Sequence, residues 1–271
     1  MVLSEHDPVS AGLNQRWGTA PATDLWVEGT PIRRPGPGLW SLRRGAGPTQ
    51  DDGFEVRLPP LLRRYAVPLV FPSLHRSAEG IRCFTVHPLG VWAGDRSAPE
   101  SGPWLVPTAP RLMAAALRAL SEGADRAGLP VSYEATHHGP RLSRPAFFME
   151  IGGGAPPGDP TAEEIRILAE ALAGLRVDLR DRVAVGAGGG HYVPHFTELA
   201  LSRRWAFGHL IARHVLAGLD REMARAAWAG TPGAEGILCA RAADRTLPVW
   251  EGLGPILRDS ESPRRGDPRP G

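Results

Sequence analysis

Five short apolar runs recur between helical patterns, and that alternation constrains the chain more than any other feature. They are Val67 to Phe71, Ile81 to His87, Val131 to Thr136, Ala146 to Ile151 and Arg182 to Ala187. Runs of this length read as strands, and the segments between them carry helical periodicity. One helix is expected over about Ala109 to Ala127, with Pro110 in its first turn and Gly128 as its stop. A second begins at the capping box Thr161-Ala-Glu-Glu164, and a third is expected from about Glu198 to Ala217, with Phe207, Leu210, Ile211 and His214 on its stripe. His214 reads there as a histidine at the edge of the core. Strands alternating with helices predict a single α/β domain over residues 1–257, with a mostly parallel or mixed sheet flanked by helices. Residues 14–52, rich in Pro and Gly, read as an irregular insertion, and residues 258–271 as a disordered tail.

Ligands of open α/β sheets sit beyond the carboxyl ends of the strands, so the residues at the end of each run are informative. His75, Arg76 and Ser77 come after the first; Thr85 and His87 end the second; the third carries Glu134 and Thr136 and runs into His137 and His138. Glu150 precedes Gly152-Gly153-Gly154, and the last run opens into Gly188, Gly189, Gly190, His191, Tyr192, His195 and Thr197. Six of the nine histidines succeed or end a predicted strand. Brought together, these ends would line one crevice with acid/base or metal-binding chemistry.

Spacing excludes several alternatives. No GxSxG elbow is present, no Gly-Lys-Ser/Thr follows the glycine loop, and His191 stands where GxGxxG needs its third glycine. Cys83 and His87 would lie ~13 Å apart along one strand, too far for a nucleophile and its base. HExxH is absent. Glycines 188 to 190 can offer backbone N–H groups to an oxyanion or phosphate, helped by a helix N-terminus near Thr197. On a regular strand His137 and His138 face opposite sides, so both serve one site only if the chain turns at Gly139-Pro140.

No apolar run is long enough to span a bilayer, and the N-terminal residues lack the basic and apolar regions of a signal peptide, so a cytoplasmic protein without a membrane partner is expected. Cys83 and Cys239 have no disulfide or metal spacing. The formal charge is +2, and all 31 basic residues are arginine, which permits phosphate contacts on RNA.

The motifs Glu134 to Pro140, Pro145 to Gly152, Gly188 to Glu198 and Phe207 to His209, in this order, resemble the archaeal- and plant-type D-aminoacyl-tRNA deacylase family. The upstream Ser73 to Pro88 and the early Leu3 to Asn14 are similar to further segments of that family. The resemblance implies an α/β hydrolase that cleaves the ester between a D-amino acid and tRNA, with aminoacyl-tRNA as partner and no DNA, and zinc as a possible cofactor. It carries over onto His75, His87, Glu134, His137, His138, Glu150, His191, Tyr192, Thr197 and His209. Within that set, His138 or His137 is expected to act as base or metal ligand, Glu150 as its orienter, and the Gly188 to His191 loop as a cradle. The expected substrate contacts are His75, Arg76, His87, Glu134, Thr136, Gly188, Gly189, Gly190, Tyr192 and Thr197, and the expected metal set is His87, His138 and His191. The chain departs from the family pattern at Gly153, at Leu89-Gly90-Val91 and at His195. Two alternatives stay open on these residues: a hydrolase of a small ester or amide without tRNA, and a non-catalytic binder of RNA ends or metabolites.

Overall fold

A computed structural model describes residues 1–65, 67–76, 80–93, 102–153, 158–261 and 265. Strands β1 (Val2–Ser4), β2 (Ala22–Val27), β3 (Thr30–Gly36) and β4 (Leu39–Arg44) form a first sheet in the order β1-β4-β3-β2. Residues 14–52 are therefore not irregular, as the composition suggested. Their Gly and Pro residues make hairpin turns: Val27 pairs with Thr30 across Glu28-Gly29, where both residues have positive φ (49° and 75°). That is the backbone a two-residue hairpin requires. The strands themselves were hidden because β2 is largely exposed and carries no apolar run.

Helix α1 (Pro8–Trp17) begins at Asp7, whose Oδ1 accepts the Ser10 N–H at 2.9 Å and whose Oδ2 accepts the Leu74 N–H at 2.9 Å. One carboxylate thus caps a helix and anchors the strand that carries His75. After α2 (Pro60–Arg64), a second sheet is built from β5 (Leu69–His75), β6 (Phe84–Pro88), β9 (Val131–Tyr133) and β10 (Ala146–Gly152), ordered β5-β10-β6-β9. The short hairpin β7 (Gly90–Val91) and β8 (Trp104–Leu105) and helix α3 (Pro110–Ala127) lie between β6 and β9 in the chain. Helix α4 (Ala162–Ala173) starts at the expected capping box, formed by Thr161 and Glu164.

The third sheet is all parallel: β11 (Arg182–Ala187), β12 (Trp205–Ile211), β13 (Ala234–Cys239) and β14 (Ile256–Leu257), ordered β12-β11-β13-β14. Helices α5 (Pro194–Ser202), α6 (Arg213–Leu216) and α7 (Arg221–Ala229) accompany it. The single helix expected over 198–217 is instead α5, β12 and α6. Every residue of β12 is buried, and an apolar run buried on both faces shows no period that separates strand from helix. His214 consequently stands exposed on α6 rather than at a core edge. The class is α/β as expected, with the strands of the described residues shared among three four-stranded sheets and the two-stranded β7-β8, flanked by helices. Of the expected tail, residues 259–261 form a 3-10 turn and the Arg265 Nη1 lies 3.0 Å from Asp181 Oδ1, while its other residues from 262 on, like Ser77 and Gly154, lie outside the described residues.

Register in the second sheet decides what the site contains. Glu150 on β10 lies opposite Ser73 on β5 and Thr85 on β6, and Phe148 lies opposite Phe71 and His87. Directly paired residues share a face, so this face gathers Ser73, His75, Thr85, His87 and Glu150. The other face presents Val70, Phe84, Val86, Phe147, Met149 and Ile151 to the main core, which α3 and α4 complete. Each such side chain contributes roughly 1.5–3 kcal/mol by its burial.

Candidate active site

The segment Glu134 to His138 is stitched between the second and third sheets. The Glu134 N–H donates to the Val86 carbonyl, Ala135 to the His191 carbonyl (2.8 Å), and Thr136 to the Leu210 carbonyl (2.8 Å), while the His138 carbonyl accepts the Gly90 N–H (2.9 Å). A bridge pairs Glu134 with Tyr192 and another pairs Leu89 with His137. The residues that the sequence spread over five strand ends therefore meet, but not as aligned ends. β6 runs antiparallel to β10, so His87, at the carboxyl end of its strand, reaches Glu150 across the sheet face.

Two buried carboxylates organise the cluster. Glu150 Oε2 lies 3.2 Å from His75 Nδ1 and 3.3 Å from His87 Nε2, and Ser73 Oγ donates to its Oε1. Glu134 Oε2 lies 3.1 Å from His191 Nε2, 3.5 Å from His137 Nε2 and 3.7 Å from His75 Nδ1. Burial raises the pKa of Glu150, but the neighbouring His87 and His75 outweigh that effect and hold it well below the usual carboxylate range. For His75 and His87 burial is the largest single effect and acts downward; Glu150 and Glu134 together overcome it, and both imidazoles are raised. His137 is held well below the usual range by burial and by the His87, His138 and His191 rings around it. Burial, then His87, push His138 down to about 4.

His137 and His138 both face the site, contrary to strict strand alternation. β9 ends at Tyr133, and His138 adopts a left-handed φ of 36° ahead of Gly139-Pro140, so the alternation is broken where the pair occurs. Their ring centroids are 4.3 Å apart, and the His87 and His137 centroids 4.0 Å. Phe148 stacks on the His87 ring with 3° between planes.

The tautomers follow from the backbone. Nδ1 of His87 faces the Pro88 carbonyl (3.1 Å), Nδ1 of His137 the Ala135 carbonyl (2.8 Å), and Nδ1 of His138 the Gly139 carbonyl (3.0 Å). A carbonyl only accepts, so each Nδ1 carries a hydrogen; His137 and His138, with lowered pKa values, keep an Nε2 lone pair, while His87 Nε2 stands 3.3 Å from the Glu150 carboxylate that favours its protonated form. These three histidines form one group whose ligand atoms lie within 4.8 Å of one another. Two further groups are His75, Glu134, His137 and His191, and His87, Glu134 and Glu150. The expected set of His87, His138 and His191 is divided over these groups, with His87 and His138 beside His137, and His191 beside His75, Glu134 and His137. Both oxygens of Glu134, Nε2 of His75 and Nε2 of His87 are buried without a hydrogen-bond partner. Orphaned carboxylate oxygens and imidazole nitrogens gathered within reach of one another could hold a metal ion.

A cavity of about 220 Å³ opens over this cluster, lined by Trp92, Ala135, Thr136, His137, His138, His191, Ala212, His214 and Val215. His87, Glu134 and Glu150 lie buried beneath it. Other expected site residues have different places. The Thr197 hydroxyl accepts the Tyr133 N–H (2.9 Å) and donates to the Val193 carbonyl, which makes it a brace for the end of β9. The Gly188 N–H is used by the Ile211 carbonyl (2.8 Å), so it does not serve the expected cradle, and the Gly189 carbonyl accepts the Arg213 N–H. Thr136 does line the cavity, as expected of a contact residue, and its Oγ1 accepts the Leu210 N–H and lies 3.1 Å from His209 Nδ1. Gly190 sits in the loop before His191, and the Tyr192 ring lies 5.4 Å from the His191 ring. Arg76 is exposed, and His195 packs on Phe196. Ser73 was missed although it shares strand parity with His75, a signal that was legible. Trp92 had no such signal, and Ala212, His214 and Val215 were hidden by the helical reading of 198–217.

Over 162 residues the chain is 43% identical to the D-aminoacyl-tRNA deacylase of Methanoregula boonei, covering 58% of this chain and 36% of that protein. It is 34% identical over 176 residues to the D-aminoacyl-tRNA deacylase of Desulfurococcus amylolyticus, covering 63% of each. The chain thus spans less than two thirds of either relative. A crystal structure of a conserved protein of unknown function superposes with a TM-score of 0.75 at 27% identity, covering 90% of this chain and 88% of that one. The family model for D-aminoacyl-tRNA deacylase matches residues 64–246, which include every member of the histidine and glutamate cluster, and the chain belongs to that family.

Proposed function

We propose that the chain is a cytoplasmic hydrolase that cleaves the ester of D-aminoacyl-tRNA, releasing the free D-amino acid and tRNA. The observation that carries this reading is the convergence of five imidazoles on two buried carboxylates beneath a small cavity. Ester hydrolysis needs an activated water, a place for negative charge on the carbonyl oxygen, and a proton for the departing ribose hydroxyl. His191 meets the first and third needs. Its Nε2 stands 3.1 Å from Glu134 Oε2, so the carboxylate favours a proton on the ring, and the residue lines the cavity where water and ester would meet it. The proton taken from water is then returned to the ribose oxygen by the same ring. His87, His137 and His138 would hold zinc through Nε2, and zinc bound there supplies a Lewis acid for the ester carbonyl. Glu150, held ionised by His75 and His87 and braced by Ser73, orients the floor of the site.

Purified protein incubated with matched D- and L-aminoacyl-tRNA, with and without a chelator, tests the proposal. Release of the D-amino acid at a rate at least ~100-fold above the L form, lost in His191→Ala, is the expected result. Equal inactivity on both enantiomers with zinc supplied would overturn it. The alternative of a small ester or amide substrate is separated by tRNA binding: loss of affinity between low and moderate salt accompanies phosphate contacts.

A further inference from the structure

Another cavity, of about 580 Å³, lies away from the histidine cluster. It is lined by residues at the start of β5, whereas His75 ends that strand, and six residues of strand separate the two points by ~20 Å. Its walls come from β4, α2, β5 and the end of α4, with Leu42, Leu62, Leu69 and Leu172 among them. Several lining residues precede residue 64, outside the span that the family model matches. The family assignment therefore gives this space no role.

The lining is apolar with a defined charge pattern. Among the described residues no acidic side chain lines the cavity; its ionisable groups are Arg144, Arg176 and the Met1 amine, which burial and then Arg144 push down to about 5 and which donates to the Trp40 carbonyl. Arg144 is only 6% exposed, its Nε has no hydrogen-bond partner, and its Nη2 donates to the Leu62 carbonyl at 2.9 Å. Glu55 is the carboxylate that acts on it, from beyond ion-pair contact; Glu55 Oε1 is engaged by the Ser143 N–H and Oγ, and Oε2 is buried without a hydrogen-bond partner. A buried guanidinium without a carboxylate partner is costly unless an anion joins it. Arg176 is exposed, as are Leu61, Tyr65 and Val67 on the lining. The volume lies in the usual range for small-molecule sites.

We propose that this cavity is a second ligand site, for a small molecule with an apolar body and one carboxylate. The body packs on the leucines, and the carboxylate meets the arginine side of the wall. This inference is independent of the deacylase reading, because no residue of the histidine cluster takes part.

Calorimetric titration of the full chain with decanoate, below its micellar concentration, and with decanol as the uncharged control tests it. Saturable binding of decanoate about tenfold or more tighter than decanol is expected, since one charge-assisted hydrogen bond is worth that much. Arg144→Met should remove the difference between the two probes. Arg144 is buried, so Arg176→Glu and Ala173→Trp, both at exposed positions on the lining, provide variants that spare the core. The first should weaken decanoate several-fold and leave decanol unchanged, and the second should block both probes. Equal binding of decanoate and decanol, no saturable binding, or binding indifferent to both exposed variants would each overturn the proposal. So would a stable dimer that Ala173→Trp dissociates, which would make this face a subunit interface.

Discussion

His191 Nε2 lies 3.1 Å from Glu134 Oε2, and Glu134 is fully buried while the His191 side chain is nearly half exposed. A buried carboxylate thus stands against an imidazole that lines the cavity, the pair to which the proposed proton transfer is assigned. Glu134→Gln keeps the shape of the side chain and removes the charge that orients the ring. Hydrolysis of D-aminoacyl-tRNA should fall ~100-fold or more in kcat, with circular dichroism unchanged. Full activity of the variant would remove Glu134 from the mechanism.

The inward Nε2 atoms of His87, His137 and His138 make a direct prediction about metal content. Wild-type protein dialysed against zinc should retain it, and His138→Ala should bind zinc ~10- to 100-fold more weakly, measured by competition with a chromogenic chelator. His195→Ala, outside the cluster, should bind as the wild type does.

Acid stability should carry the mark of His209. Burial pushes this imidazole down to about 3 from an ordinary value of 6.5. With the folded value below the unfolded one, the unfolded chain takes up the proton first. The stability is fully present above pH 6.5 and is lost as pH falls toward 3. Between about pH 6.5 and 4.5 this one group should remove about 2–3 kcal/mol. Urea titrations of His209→Gln should show a shallower loss over that window, and an identical pH profile would refute the assignment.

Gly208 on β12 has no room for a side chain. A Cβ there would press on the Thr231 side chain and stand 2.7 Å from Thr108 Oγ1. Gly208→Ala should cost ~1–3 kcal/mol in chemical denaturation, and Gly218→Ala, with open space around it, should cost far less.

Local physics made part of this molecule legible in advance. The helix over Pro110–Ala127 and the capping box at Thr161 were readable because their signals lie within a few residues of chain. The same holds for β11 and for the association of histidines with strand ends. Glu28-Gly29 and Pro37-Gly38, by contrast, looked like parts of an irregular segment until the strands they connect were paired.

The site divides along the same line. Position at strand ends was enough to nominate His75, His87, His137, His138, Glu150 and His191, and the family resemblance added Glu134. Tertiary structure alone decided their grouping: the antiparallel course of β6 carries His87 to Glu150, and the break after Tyr133 turns both His137 and His138 inward. It also moved Thr197 from the substrate to the support of β9, and brought Trp92 and His214 to the cavity wall. The reason is physical. Side-chain type and local backbone preference are properties of a short stretch of chain, while distances between stretches depend on sheet register and direction, which arise only when the strands pair.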